Sequence, residues 1–221
     1  YQVVYAETPD SEVLSDIIYK LQKRADLYGK EATVYQDGEN CIKVEIPDVE
    51  KADEILQELG RNAELLFISE TTEDGNLNYS CASDVDESGE SIVGYFLVRD
   101  LEAIKADGSV KLTGTEIESV NVSNYQNVMG ITDIVLELKM TEEGSRKFEE
   151  ATKYAYEHGE TLGIYYDGEF LSVPKVTDVI TNGVAVIQGM ESHEETEHLA
   201  TMLRIGNLSY DLKVMQVDVV E

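Results

Sequence analysis

"TDIVLELKMTEEGSRKFEEATKYAYEHGETLGIYYDGEFLSV" (residues 132–173) changes its hydrophobic period twice, and those changes decide the fold class. Ile134, Leu136, Leu138 and Met140 alternate, which is the period of a strand with one buried face. From Thr141 the period becomes helical: Phe148, Ala151, Thr152 and Ala155 fall at i, i+3, i+4 and i+7. Thr141 is placed as N-cap. Glu142 and Glu143 occupy the first turn, where carboxylates meet the positive end of the helix dipole, and Gly159 supplies the left-handed stop. Glu149 and Glu150 lie off the apolar stripe and read as a solvated face rather than a catalytic pair. Beyond the helix, Asp167-Gly168 between two β-type runs is a two-residue hairpin signal. A strand, a helix and an antiparallel hairpin in succession predict an α+β chain.

Further along, Pro174 cannot donate to a ladder and marks an edge or bulge. "TNGVAVIQG" is another strand. "SHEETEHLATMLRIG" opens on Ser192 with Glu195 three residues on, a capping box; Leu199, Met202 and Leu203 form its stripe and Gly206 stops it. "YDLKVMQVDVV" is a closing strand. His193 and His198 invite a zinc reading, but they are five residues apart, about 140° around a helix, so they diverge where a zinc helix needs i and i+4.

Toward the N-terminus, "QVVYAE" (2–7) is β-type. "DSEVLSDIIYKLQKRADLYGK" places Val13, Leu14, Ile17, Ile18, Leu21, Ala25 and Tyr28 on one helical stripe, with Gly29 as stop. Asp37-Gly38 predicts a two-residue hairpin before the alternating Ile42, Val44 and Ile46. "DVEKADEILQELG" (48–60) is a second helix, with Ala52, Ile55, Leu56 and Leu59 on one side, and "AELLFIS" (63–69) a strand. The order β-α-β-β-α-β is that of a ferredoxin-like unit. Residues 70–92 are polar and read as a loop. Asp84-x-Asp86-x-Ser88-Gly89 resembles the start of a calcium loop, but its twelfth position is Tyr95, not Glu. "GYFLVRD" (94–100) reads as a strand and "KADGSV" (105–110) as a turn. "LTGTEIESV" (112–120) opens on a further turn, and strand-like "VNVS" follows.

The chain has 221 residues, and a chain of this length buries roughly 70% of its unfolded surface without staples. Its 45 acidic and 17 basic residues give a net charge of −28, which repels nucleic-acid phosphate and anionic headgroups. Cys41 and Cys81 lie in no CxxC and read as two lone thiols. No apolar run approaches the roughly 20 residues of a membrane helix. Tyr1 in place of Met, with no signal peptide, predicts a fragment or processed form of a longer protein. No nucleophile motif or phosphate loop is present, so no enzyme activity and no cofactor is expected.

"LTGTEI", "MTEEGSRKFEEAT", "LGIYYDGEFLSVPKV", "GVAVIQG" and "EETEHLATMLRIGNLSYDLKV" follow one another in a fixed order. Together with "LQKRADLYGKEATVYQDGENCIKVEIPDVEKADEILQELGRNAELLFI", they resemble the first extracytoplasmic domain of SecD, a membrane component of the bacterial Sec export machinery. Departures are Ser172-Val173-Pro174, the proline-free "IGNLSYD" and Asp48 where Gly is common. The resemblance implies a ferredoxin-like base (1–105 plus 208–221) with an inserted α+β head (106–207). It implies hinges at Ala106, Asp107 and Gly108 and at Gly206 and Asn207. It also implies a soluble segment of a membrane-embedded protein at the extracytoplasmic face, with SecF, the Sec channel and unfolded preprotein as partners and with late-stage export driven by proton motive force. The residues alone leave open a stand-alone cell-surface module that binds a solute or another protein.

Overall fold

A computed structural model describes residues 2–5, 11–28, 31–38, 41–47, 55, 59–60, 64–85, 91–126, 132–188, 192–206 and 212–216. Helices and strands mix throughout, so the chain is α+β. It divides into two compact units, Tyr1–Ala63 with Ile205–Glu221, and Glu64–Arg204.

The first unit contains β1 (Gln2–Tyr5), α1 (Ser11–Ala25), β2 (Thr33–Gln36), β3 (Cys41–Glu45) and β13 (Leu212–Gln216). Its antiparallel sheet has the order β13-β1-β3-β2. The expected stripe of α1 is the buried one: Leu14, Ile17, Leu21 and Ala25 pack with Val34, Ile42, Val44, Ile46 and Leu59. Gln22 ties α1 to the outer edge of β2, accepting from Val34 N at 2.8 Å and donating to the Ala32 carbonyl at 2.8 Å. That occupies an edge which would otherwise offer unpaired backbone. The β2–β3 turn departs from the expected two-residue form. Gln36 faces Ile42 and Asp37 N donates to the Cys41 carbonyl, a longer connection than Asp37-Gly38 alone would make. Of the expected second helix, Ile55, Leu59 and Gly60 are described and helical. Gly29, Asp48, Ala52 and Leu56 lie outside the described residues.

The second unit holds two larger sheets and a ribbon. One sheet has the order β11 (Glu169–Ser172), β10 (Leu162–Tyr166), β4 (Leu65–Ser69), β7 (Val110–Thr113). The other has the order β12 (Val184–Ile187), β9 (Thr132–Met140), β8 (Ile117–Gln126). β4 is the strand expected to complete the N-terminal sheet, and the structure corrects this. β4 pairs with β10 and β7, and the fourth strand of the first unit's sheet is β13. The physical reason is its composition. Leu65-Leu66-Phe67-Ile68 is apolar on both faces, which suits a strand covered on both sides. Leu65 and Phe67 enter one apolar cluster, and Leu66 and Ile68 another.

Residues 70–92, expected as a loop, include β5 (Tyr79–Val85), which pairs antiparallel with β6 (Ser91–Leu97) from Tyr79↔Leu97 to Val85↔Ser91. Tyr79 is buried at the root of this ribbon, its ring 4.7 Å from Phe170 and 6.1 Å from Tyr95. The segment 94–100, read as a strand, is strand as far as Leu97, where it ends the ribbon in the second unit. A short helix α2 (Leu101–Ala106), capped by Asp100, occupies part of the segment read as a turn.

The helix read first from the sequence is α3 (Glu142–His158). Gly144 N donates to Thr141 Oγ1 at 3.0 Å, and Gly159 closes the helix at φ +70°. Its buried residues include Phe148, Ala151, Thr152 and Ala155, as expected, while Glu149 and Glu150 are exposed. Asp167 and Gly168, at φ +50° and +95°, form the two-residue turn between Tyr166 and Glu169. Helix α4 (His193–Ile205) opens with Glu195 N donating to Ser192 Oγ at 3.1 Å, and Arg204 Nε donates to the Val120 carbonyl at 2.7 Å.

Candidate functional site

The second unit contains an apolar cleft of about 290 Å³. Phe67 of β4 and Leu162 and Ile164 of β10 contribute one wall, Phe148 and Thr152 of α3 another, and Val184, Ala185 and Val186 of β12 a rim. The segment 174–180 crosses it. Two groups of hydrogen bonds fix these parts together. Thr152 Oγ1 donates to the Phe148 carbonyl at 2.8 Å and accepts from Ile180 N at 3.1 Å, holding the crossing segment to α3. Leu162 N donates to the Pro174 carbonyl and Val176 N to the Glu160 carbonyl, each at 3.2 Å, holding it to β10. Pro174 thus flanks a strand as an acceptor only, as its missing N–H requires. The Phe67 and Phe148 rings meet edge to face with centroids 5.7 Å apart. Val186 is 44% exposed at the rim, and Lys175 and Asp178 are the charged side chains of the lining.

Such a cleft can take up apolar side chains without chemistry at the site. Apolar walls with a few polar groups at the margin are the usual make-up of a binding pocket. Among the described residues, no three His, Cys, Asp or Glu side chains gather to hold a metal ion. His193 and His198 both sit on α4. Cys41 and Cys81 are free thiols.

Of the hinge candidates, Ala106, Asp107 and Gly108 lie in the second unit and Gly206 in the first. Ala106 ends α2, and Asp107 caps it, donating its N–H to the Ala103 carbonyl. Asp107 Oδ1 accepts from Ser109 N at 3.0 Å, and Oδ2 pairs with Arg99 at 2.6 Å. Gly108 has φ +80°. This is a capped, ion-paired turn inside the second unit. The chain passes between the units at Ala63–Glu64 and Arg204–Ile205. Gly206 adjoins the second passage; Asn207 lies outside the described residues. The compact units divide at 63/64 and 204/205, where the resemblance implied boundaries at 105/106 and 207/208. The cause is the pairing of β4 inside the second unit.

The fold and cleft define a class: a two-unit α+β module with an apolar cleft in its second unit. The family model "SecDF, P1 head subdomain" matches residues 96–210, just over half of the chain, and the chain belongs to that family. Among relatives, the "Protein translocase subunit SecD" of Petrotoga mobilis is 30% identical over 91% of this chain and 46% of its own length. That of Acidaminococcus fermentans is 28% identical, over 95% and 42%. The "Protein translocase subunit SecDF" of Thermus thermophilus is 30% identical, over 96% and 28%. The chain thus spans under half the length of these relatives. A solved structure described as a membrane component SecDF that enhances protein export is 26% identical with a TM-score of 0.65, covering 99% of both chains. A crystal structure of SecDF in a super-membrane-facing form is 25% identical with a TM-score of 0.64, covering 97% of this chain and 29% of that one. No helix among the described residues is long and apolar enough to cross a membrane.

Proposed function

We propose that this chain is the extracytoplasmic domain of a SecD-type translocase subunit, which assists the late, proton-motive-force-driven stage of preprotein export by binding and releasing the emerging polypeptide. The observation that carries this reading is the likeness, over nearly the whole of both chains, to a SecDF structure described as enhancing export. The domain has no catalytic role of its own and works beside SecF and the Sec channel. The first unit is the base: its sheet order, with the last strand beside the first, supports a ferredoxin-like unit into which the second unit is inserted as the head. The apolar cleft holds apolar side chains of unfolded client weakly enough to let them go. Rigid-body motion of the head about the two passages, near residues 63–64 and 204–206, couples binding to release.

A photo-cross-linker at Val186 in the full-length protein, in cells carrying an export-arrested preprotein, tests the reading. Adducts with the preprotein are expected at Val186 and not at the exposed Glu149. Equal yields at the two positions would remove the cleft from the mechanism. Joining the two units through engineered cysteines, with Cys41 and Cys81 replaced by Ser, is expected to block export until reductant is added.

A further inference from the structure

Arg24 is 0% exposed and is the only charged side chain among the buried, described residues. It lies on the apolar stripe of α1, three residues after Leu21 and seven after Ile17, where a Leu or Met would complete the core. Removing a guanidinium from water is costly unless its donors are satisfied. Arg24 Nη1 donates to the Leu59 carbonyl at 2.9 Å, and Nη2 donates to the Gly206 carbonyl at 3.0 Å. These acceptors are 35 and 182 residues away along the chain. Gly206 directly follows the last residue of α4, and Leu59 is in a helical segment. The carbonyl that follows the C-terminus of α4, at Gly206, meets the negative end of the helix dipole and suits a buried cation.

The two acceptors share a second property. Leu59 lies a few residues before the chain leaves the first unit at Ala63, and Gly206 is the second residue after it returns at Ile205. One planar group therefore holds the outgoing and the returning segment together within the first unit. A guanidinium can do this because its donors point in fixed directions toward separate acceptors; an ammonium is a point charge without that geometry.

We propose that Arg24 is the staple of the two-strand passage between the units. It fixes where both segments leave the first unit and confines bending to the few residues between the staple and the second unit. The bending itself rests on the proposed movement of the head; the staple does not.

The test is hydrogen exchange on the full-length protein carrying Arg24→Met or Arg24→Lys. Arg24→Met is expected to raise exchange in peptides covering 57–63 and 203–208 together, by about tenfold or more, since hydrogen bonds to charged groups are worth that much. Peptides from β9 and β10 in the second unit should not change, and Arg24→Lys should restore protection in at most one segment. Unchanged exchange in either segment of folded Arg24→Met would overturn the staple. If Arg24→Met loses the fold of the first unit, a backbone ester in place of the Gly206–Asn207 amide keeps the guanidinium and weakens the Gly206 acceptor, with the N–H of residue 207 lost as well. Faster exchange at 203–208 is then expected, and no change overturns the proposal. Faster exchange with undiminished export would leave the staple standing and sink the head-movement reading, so the two fail separately.

Discussion

Replacing Gly183 by Ala separates two costs at the rim of the cleft. Gly183 leads into β12 at φ +63°, and its carbonyl accepts from Met140 N at 2.9 Å. A Cβ there would lie 2.0 Å from Ser145 Oγ and 2.8 Å from Ser145 Cβ. A left-handed backbone costs an L-residue about 1–2 kcal/mol. Overpacking against the first turn of α3 costs about 1–3 kcal/mol. Gly183→Ala should therefore destabilise the second unit by about 2–5 kcal/mol. Ser145→Gly removes both crowding atoms and leaves Ser145 Cα at 3.4 Å, an ordinary contact. Alone it costs about 0.5–1 kcal/mol for a glycine in a helix, plus the bond from Ser145 Oγ to the Thr141 carbonyl. In the double variant the overpacking disappears and the backbone cost stays, a coupling of about 1–3 kcal/mol. Urea unfolding followed by circular dichroism and tyrosine fluorescence can measure it, since the chain has 13 Tyr and no Trp. Two compact units call for a fit that allows two transitions. Additivity of the two substitutions to within about 0.5 kcal/mol would refute the steric argument.

Three further outcomes are expected. Phe148→Ala removes a buried ring from the cleft wall and should cost about 3–5 kcal/mol of unfolding free energy; a loss under about 1 kcal/mol would mean the ring is not packed as described. Burial pushes the Glu116 carboxyl up, but the Lys147 ammonium at 2.6 Å and the Thr113 donors outweigh it and hold the group below its ordinary 4.5. The stability it contributes is present above pH 4.5 and lost as pH falls further, so Glu116→Gln should lower stability at pH 7 and flatten the acid limb of a stability–pH curve. Burial, first, pushes the Tyr79 phenol well above its ordinary 10, so its contribution holds below pH 10 and is lost above it. Tyr79→Phe, which deletes the 3.0 Å bond to Thr161 Oγ1, should cost about 1 kcal/mol at pH 7 and reduce the alkaline loss; an unchanged alkaline limb would contradict this assignment.

Elements whose signals are local were legible in the sequence. α3 carries its cap, stripe and stop within 19 residues, from Thr141 to Gly159, and the Asp167-Gly168 turn needs only its own two dihedrals. Two things were not legible. One is partner choice. β4 reads as a strand, but whether it pairs with the N-terminal sheet or with β10 depends on residues about 100 positions further on. The other is structure that depends on tertiary cover. α2 has one buried residue, Ile104, and the β5–β6 ribbon is anchored chiefly through Tyr79 inside a polar stretch. The cleft was invisible for the same reason, because its lining comes from five separated segments. Arg24 broke an apolar stripe, and that break was a signal the periodicity alone could not interpret.

The pairing of β1 has a consequence for synthesis. β1 lies between β3 and β13, so its pairing is incomplete until β13 has been made. Every strand partner in the second unit, by contrast, lies between residues 65 and 187. A growing chain can therefore complete the insertion while one edge of β1 is still unpaired. That edge is a template for wrong partners until β13 arrives. A chain that stops short of Leu212 would keep a folded second unit and a first unit that never closes.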